Sequence, residues 1–208
     1  MRTLTFYTNP MSRGQIARWM LEETGAAYET VLLGYGTTMK APEYLAINPM
    51  GKVPAIRHGD AVVTEVAAIL AYLADAFPEK KLAPPPENRA DYYRWLFFVA
   101  GPFEAATTAR SLGFEPAPDQ QGFAGFGTHA AVLDNLEKLV SEKEYIAADH
   151  FTAADLYLAA QLDFGLSFKT LEPRNAFLAY RDRMIDRDAY RKAKSIDTKL
   201  IAQQQQQQ

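Results

Sequence analysis

Ser12 and Glu65 each stand where a strand pattern gives way to a helix pattern. The N-terminus of a helix attracts anions through its free N–H groups and its dipole. The Ser12 hydroxyl can donate a hydrogen bond to such an anion; the alternative is that it only caps the helix. Glu65 can hold an ammonium group while nearby backbone N–H groups hold a carboxylate; the alternative is that it only favours the helix dipole. The Glu65 arrangement suits the α-amino-acid end of a ligand.

A Val53-Pro54 pair begins a predicted strand, directly after the tight turn 48–52. Proline lacks an N–H group and is confined to the starts, edges and bulges of strands. The peptide bond before proline is also the one at which the cis form costs least. We expect a cis bond here, with the Val53 backbone turned outward to pair with a peptide-like ligand. Lys52 then lies beside that ligand, the alternative being an ordinary surface lysine.

The 208-residue composition excludes several classes of chemistry. There is no cysteine, which removes disulfides, thiolate metal sites and cysteine nucleophiles, so any thiol must come from a ligand. The three histidines, His58, His129 and His150, share no metal-like spacing, and we expect no bound metal. The 22 basic and 25 acidic residues give a net charge of −3, which argues against nucleic-acid binding. With no apolar run near the ~20 residues of a membrane span and no signal-peptide core at the start, we expect no membrane partner and a cytoplasmic location.

Hydropathy periodicity divides the chain into an α/β part and a helical part. The α/β part has the predicted order strand 3–7, helix 12–24, strand 28–33, strands 53–57 and 61–64, and helix 66–77. Helical patterns then cover 89–112, 126–141, 152–168 and 173–202, the last with a break near Asp186. We therefore expect an α/β domain over 1–78, a stiff proline-rich linker over 79–88 and an all-helical domain over 89–208. The six final glutamines are interpreted as a polar tail.

Three runs of residues resemble the glutathione transferase family: Lys40–Ile56, Thr64–Leu73 and Phe151–Leu156. The third resembles the capping box and hydrophobic staple of the family's central helix, with Thr152 as N-cap and Asp155 at the third helical position. The resemblance covers essentially the whole chain. It implies a thioredoxin-like first domain that binds glutathione and a helical second domain that shapes a pocket for a small apolar electrophile, in a cytoplasmic homodimer that serves detoxification.

The resemblance also implies a role for individual residues of the glutathione site. Val53 supplies backbone hydrogen bonds to the cysteinyl part, with Pro54 cis, and Glu65 and the N–H of Val66 hold the γ-glutamyl end. Lys40 and Lys52 face the glycyl side. The group that activates the thiol is Ser12, with Tyr7 and Asn9 as reserves.

Two questions stay open at this level. Val66 stands where the family usually has serine or threonine, and a lost hydrogen bond to a charged group costs roughly 1.5–3 kcal/mol. A non-catalytic binding or interaction protein of this fold is therefore the alternative to a transferase. A glutathione-dependent peroxidase, isomerase or dehalogenase that uses the same site is a third possibility. The predicted co-substrate pocket has its own alternative, because its apolar residues are equally well explained as helical core; they are Phe97, Phe103 and Ala106.

Overall fold

The N-terminal part of the chain forms a four-stranded mixed sheet. A computed structural model describes residues 3–206, and its strands are β1 (Leu4–Thr8), β2 (Glu29–Leu32), β3 (Ala55–His58) and β4 (Ala61–Thr64). Their order is β2-β1-β3-β4, with β1 parallel to β2 and antiparallel to β3, and β3 antiparallel to β4. The predicted strand–helix–strand unit and the predicted hairpin are both confirmed.

Three helices accompany the sheet in the described chain: α1 (Gly14–Thr24), α2 (Pro42–Leu45) and α3 (Val66–Ala76). The first was predicted from Ser12 and begins two residues later, because residues 9–12 form a hydrogen-bonded turn instead. Gly25 ends α1 with a φ of 64°, a left-handed conformation that glycine adopts without steric cost. Pro78 follows α3 closely, as predicted.

Alternation along β1 divides the packing between the two faces of the sheet. Phe6 is fully buried and faces α1, where the Arg18 guanidinium lies 5.1 Å from its ring centroid. Tyr7 points to the opposite face and packs against a cluster that includes Tyr44 from α2 and Ala55 from β3. Helical segments on both faces are the arrangement that the sequence predicts for a thioredoxin-like domain.

The helical part contains α4 (Ala90–Phe98), α5 (Glu104–Ser111), α6 (His129–Glu142), α7 (Ala153–Ser167) and α8 (Asn175–Ile185). A π-helical turn, Val99–Phe103, joins α4 to α5, so the helix predicted over 89–112 is one helical run with a wider turn in it. Pro102 lies in this turn, and its missing N–H interrupts the regular bonding pattern. The helical conformation is interrupted at Asp186, as predicted, and α9 (Asp188–Gln205) follows.

The capping box predicted at the start of α7 is confirmed. The Asp155 carboxylate accepts hydrogen bonds from the Thr152 backbone N–H at 2.9 Å and from the Thr152 hydroxyl at 2.8 Å. It also accepts from the Ile146 N–H and the Tyr180 hydroxyl, so this buried carboxylate fastens the preceding loop and α8 to the start of α7. Burial raises the pKa of Asp155 above its usual range.

The chain divides into two compact units, residues 3–80 with α9, and residues 81–186. The sequence analysis placed α9 in the helical domain over 89–208, whereas the structure packs it on α1 of the first unit. Arg18 and Glu23 of α1 form ion pairs with Asp197 and Arg187, and the centroids of the Trp19 and Tyr190 rings lie 4.9 Å apart in the same interface. The helix also continues through Gln205, so the first three residues of the predicted glutamine tail are helical, and Gln207 onward lies outside the described residues.

The helices of residues 3–206 include none that is both long enough and apolar enough to cross a membrane.

Candidate functional site

Strand register brings the predicted glutathione-site segments together where β1 and β4 end and β3 begins. We call this end of the strands the sheet edge. Ala55 in β3 pairs with Tyr7 in β1 and with Thr64 in β4. Beyond these paired residues, β1 runs into the turn that holds Ser12, β4 runs into Glu65, and the Val-Pro pair leads into β3. The three segments, although up to 53 residues apart, are therefore neighbours because antiparallel pairing aligns opposite strand ends.

The turn between β1 and α1 is held by its own hydrogen bonds. The Asn9 amide donates to the Leu33 carbonyl at 2.8 Å, and its oxygen accepts from the Met11 N–H at 2.9 Å. The Ser12 hydroxyl donates to the Asn9 carbonyl at 2.6 Å and accepts from the Gly14 N–H at 2.9 Å. Ser12 thus lies buried at the first turn of α1, where its oxygen satisfies one free N–H group of the helix.

Tyr7 and Tyr44 lie side by side, with ring centroids 5.7 Å apart, but their hydroxyls differ. The Tyr44 hydroxyl donates to the Lys52 carbonyl, and burial raises the pKa of Tyr44 to about 12. Within residues 3–206 the Tyr7 hydroxyl has no hydrogen-bond partner, and the Tyr7 side chain is half-buried. Tyr44 is therefore a structural donor, whereas Tyr7 retains a free phenol.

The Val53–Pro54 bond is cis, as predicted. The described part of the chain provides no hydrogen-bond partner for the N–H or the carbonyl of Val53. Just before it, the Lys52 carbonyl accepts from the Asn48 amide at 2.9 Å as well as from Tyr44. The Lys52 carbonyl is thus held by the protein, while the N–H and the carbonyl of Val53 remain a donor and an acceptor for a ligand.

Glu65 has a backbone φ of 66°, although it is neither glycine nor asparagine. Holding such a residue in this region costs on the order of 1–3 kcal/mol, and strain of this kind clusters at functional sites. Its side chain is exposed, and no described residue forms an ion pair or hydrogen bond with the carboxylate. The adjacent Val66 is buried at the first position of α3, where backbone N–H groups have no partner within the helix.

Two lysines lie at the turn that precedes the Val-Pro pair. The Lys40 ammonium donates to the carbonyls of Met50 and Gly51, at 3.0 and 2.9 Å, and so holds the turn. Lys52 is exposed, and its ammonium has no partner among residues 3–206. Gly51 has a φ of 55°, and a side chain there would collide with the Lys40 ammonium. The turn therefore places positive charge next to the free backbone of Val53.

The predicted co-substrate residues fall into two groups. Phe97 exposes 68% of its surface, whereas Phe103 and Ala106 expose 3% and 1%. The burial of the latter two fits the alternative that they belong to the helical core. As for metals, no cluster of three or more ligating side chains occurs within the described residues.

Tyr44 and Asn48 support the site, and sequence reasoning did not identify them. Both bind the Lys52 carbonyl, and the Asn48 side chain also accepts from the Met50 N–H at 3.1 Å. Asn48 gave a usable signal, because asparagine before proline often organises a turn with its side chain. Tyr44 gave none, since a tyrosine on a short helix has the same pattern as any core aromatic.

Comparison with known proteins agrees with this geometry. The N-terminal domain of glutathione S-transferases, as a sequence family, matches residues 2–75. Glutathione S-transferase F10 of Arabidopsis thaliana is 31% identical over 168 residues, which cover 74% of this chain and 76% of that protein. Glutathione S-transferase GstA of Escherichia coli O157:H7 is 29% identical over 164 residues, which cover 74% of this chain and 78% of that protein.

The solved structures give the same result over nearly the full length. A sphingomonad glutathione S-transferase complexed with glutathione has a TM-score of 0.76 and 26% identity, covering 93% of this chain and 98% of that one. The likeness therefore includes the helical unit, which the N-terminal family match does not reach. By fold, by the geometry of the sheet edge and by these similarities, the chain belongs to the glutathione S-transferase family.

Proposed function

We propose that this protein is a glutathione transferase that binds glutathione along the edge of its N-terminal sheet and transfers the thiolate to small apolar electrophiles. The observation that carries the proposal is the convergence, through the register of β1, β3 and β4, of the free N–H and carbonyl of Val53, the free carboxylate of Glu65 and the free ammonium of Lys52. The glutathione bound to the sphingomonad relative supports the choice of ligand.

Each part of glutathione then has a matching group on this chain. The free N–H and carbonyl of Val53 pair with the cysteinyl backbone, as an added strand pairs with a sheet edge. Glu65 holds the γ-glutamyl ammonium, and the N–H of Val66 holds its carboxylate at the positive end of α3. Lys52, together with the turn that Lys40 holds, faces the glycyl carboxylate.

The reaction needs a thiolate, because the thiolate is the nucleophile and a free thiol has a pKa of about 8.5. Lowering that pKa by about two units requires about 2.7 kcal/mol of anion stabilisation. One hydroxyl donor and the N-terminus of α1 together supply an effect of this size. The thiol proton leaves to water. The sulfur then bonds to the electrophilic carbon while the leaving group departs with the bonding electron pair.

Ser12 is our first choice for the hydroxyl donor. Its oxygen is held at the start of α1 by the Gly14 N–H, while its proton is given to the Asn9 carbonyl. Rotation about the Cβ–Oγ bond redirects that proton to a sulfur anion, which is a stronger acceptor than a neutral carbonyl. Tyr7 is the second choice, because its phenol is free and lies in the same cluster as Val53. Asn9 is the third, with one amide proton engaged at Leu33.

The electrophile needs an apolar surface, which the helical unit offers at the exposed ring of Phe97. Contact with an apolar surface suits small electrophiles of many kinds, so we expect binding to depend on size and hydrophobicity more than on a specific group. A cytoplasmic homodimer is part of this proposal, as in the family that the chain belongs to.

The experiment is calorimetric titration of the full chain with glutathione, followed by turnover of an aryl chloride activated by nitro groups. Glu65→Gln should raise the Kd for glutathione by at least about tenfold, since a charge-assisted bond to the ammonium is lost. Glu142→Gln is the matched control, because Glu142 is equally exposed but lies at the end of α6. Absence of glutathione binding at millimolar concentration would contradict the proposal, and an unchanged Kd in Glu65→Gln would contradict the role of Glu65.

A second candidate function is non-catalytic binding, and Val66 favours it. Its buried side chain cannot donate to the γ-glutamyl carboxylate as a hydroxyl would. A binding protein would take up glutathione weakly and show no turnover at any pH, whereas a transferase shows turnover that rises with the thiolate fraction.

A further inference from the structure

The peptide that joins Lys52 to Val53 is bonded by the protein at one end only. Its carbonyl oxygen, which belongs to Lys52, accepts hydrogen bonds from the Tyr44 hydroxyl and from the Asn48 amide. Its N–H, which belongs to Val53, has no partner among residues 3–206. Both lone pairs of the oxygen are therefore in use, while the donor at the opposite end of the same peptide stays available.

The planarity of the peptide turns this asymmetry into a direction. The Lys52–Val53 bond is trans, so its carbonyl and its N–H point in opposite directions within one plane. Two donors on the carbonyl hold that plane, and the Val53 N–H must then point away from Tyr44 and Asn48. A rotation of the plane that turned the N–H inward would break both hydrogen bonds at once.

The two donors are themselves fixed, and they come from one short segment of the chain. Tyr44 is 3% exposed, and its ring packs against the Tyr7 ring. Asn48 is also 3% exposed; its backbone N–H donates to the Tyr44 carbonyl at 2.9 Å, and its side-chain oxygen accepts from the Met50 N–H. Because neither donor is free to follow a moving carbonyl, the orientation of the peptide is set before a ligand binds.

The same two bonds make the free end of the peptide a better donor. Hydrogen bonds that share a polar group polarise one another, by roughly 10–30% per bond. A carbonyl that accepts two bonds draws electron density from its amide nitrogen, so the Val53 N–H carries more positive charge than an ordinary amide. Preorganisation adds to affinity, because the donor loses no rotational freedom on binding.

We propose that Tyr44 and Asn48 are positioning residues for glutathione, which act through the Lys52–Val53 peptide by aiming and strengthening the Val53 N–H. This inference rests on the proposed function, in which that N–H pairs with the cysteinyl carbonyl of glutathione as a neighbouring strand would. A purely structural role would lower the stability of the fold and leave the glutathione affinity of the folded chain unchanged.

The test uses Tyr44→Phe in the full chain, because this change removes the hydroxyl and keeps the ring. Calorimetry should give a Kd for glutathione about two- to tenfold higher than in the wild-type chain, the effect of one neutral hydrogen bond. Tyr28→Phe is the matched control, since the Tyr28 hydroxyl donates to Glu22 and burial raises the pKa of both tyrosines to about 12. This control should leave the Kd unchanged.

Turnover separates positioning from chemistry. Tyr44→Phe should raise the KM for glutathione and leave kcat at saturating glutathione unchanged, because the groups that stabilise the thiolate remain in place. The absorbance of bound thiolate, followed against pH, should keep its midpoint, whereas removal of the thiol donor shifts it. A shifted midpoint in Tyr44→Phe would assign this residue to the chemistry and overturn the positioning role.

The nitrogen-15 and proton NMR signals of the Val53 amide report on the peptide directly. In the chain without glutathione, Tyr44→Phe should move the Val53 nitrogen signal upfield, because less electron density leaves the nitrogen. Tyr28→Phe should leave that signal in place. Glutathione should move the Val53 amide proton downfield in the wild-type chain, and by less in Tyr44→Phe.

The outcomes distinguish this inference from the function on which it rests. If the wild-type chain does not bind glutathione at millimolar concentration, the proposed function fails, and the positioning role fails with it. If glutathione binds, an unchanged Kd in Tyr44→Phe, or a Val53 amide proton that does not respond to glutathione, overturns the positioning role alone. A Val53 nitrogen signal that is the same in the wild-type chain and in Tyr44→Phe also overturns it.

Discussion

Arg18 in α1 and Asp197 in α9 form a buried ion pair, with 2.8 Å between Nε and Oδ1, although 179 residues separate them. The guanidinium also lies over the Phe6 ring, so it joins the sheet, the first helix and the last helix. Burial raises the pKa of Asp197, and Arg18 opposes that rise. Because α1 begins just after Ser12 and its Gly14 N–H donates to the Ser12 hydroxyl, this pair fastens the helix next to our first choice for the thiol donor.

Removing one member of this pair should be strongly destabilising. Asp197→Ala leaves Arg18 charged and buried without its partner, which typically costs about 3–5 kcal/mol. The double variant Arg18→Met with Asp197→Leu should lose less, because no buried charge remains. Lys143→Gln, which removes an exposed lysine from its pair with the exposed Asp91, should cost less than about 1 kcal/mol. Urea unfolding measures all three, and a double variant less stable than Asp197→Ala would contradict the explanation.

Restoring a hydroxyl next to Glu65 should strengthen glutathione binding. Val66→Ser adds a donor at the first residue of α3, worth roughly 1.5–3 kcal/mol towards a charged group, or about one to two decades in Kd. Val66→Ala removes the same methyl groups without adding a donor, and calorimetry should show no gain for it. Equal Kd values for the serine and alanine variants would mean that the γ-glutamyl carboxylate lies elsewhere.

The thiol donor can be identified from the ultraviolet absorbance of bound thiolate, followed against pH. Ser12→Ala should raise the pKa of bound glutathione by about one to two units, equivalent to roughly 1.4–2.7 kcal/mol, and lower turnover near neutral pH. Glutathione affinity should change little, because the binding groups remain. Tyr7→Phe is the matched removal of the other hydroxyl; if the absorbance curve shifts in Tyr7→Phe and not in Ser12→Ala, Tyr7 is the donor.

Asp155 should contribute far more to stability than a surface helix cap. Asp155→Ala leaves two buried N–H groups and two hydroxyls without their acceptor, a loss on the order of 3–5 kcal/mol. Thr128→Ala removes the exposed N-cap of α6 and should cost about 1 kcal/mol. Denaturant unfolding compares the free energies of unfolding of the two variants. Similar losses would contradict the prediction that the four donors make Asp155 more important than a surface cap.

His129 should make stability depend on pH below neutrality. The folded-state pKa lies below the ordinary 6.5, so the unfolded chain takes up the proton first as the pH falls. The stabilisation is therefore complete above about pH 6.5 and is lost as the pH falls towards the folded value. Relative to His129→Gln, the wild-type chain should lose at most about 1.4 kcal/mol per pH unit in that window. Urea unfolding at several pH values measures this difference, and a constant difference would contradict the prediction.

Local features were predicted well because they depend on neighbouring residues. The cis Val53–Pro54 bond, the capping box at Thr152 and the helix break at Asp186 all occur where the sequence predicts them. Each follows from the geometry of proline or from hydrogen bonds across a few residues. Hydropathy periodicity predicted the order of the α/β and helical parts, and the family resemblance supplied the proposed roles of the candidate glutathione-site residues.

Long-range relationships needed the tertiary structure. Periodicity predicts a helix over most of α9, but the surface that it packs on depends on distant side chains such as Arg18, which meets Asp197 only in the fold. The same holds for Phe103 and Ala106, whose apolar character fits a pocket or a core equally well until their neighbours are known. Sequence by itself therefore determined the strands and helices, the capping residues of α7 and the types of side chain at the sheet edge. Tertiary structure decided which groups are already bonded and which stay free, because hydrogen bonds and burial are properties of pairs brought together by the fold.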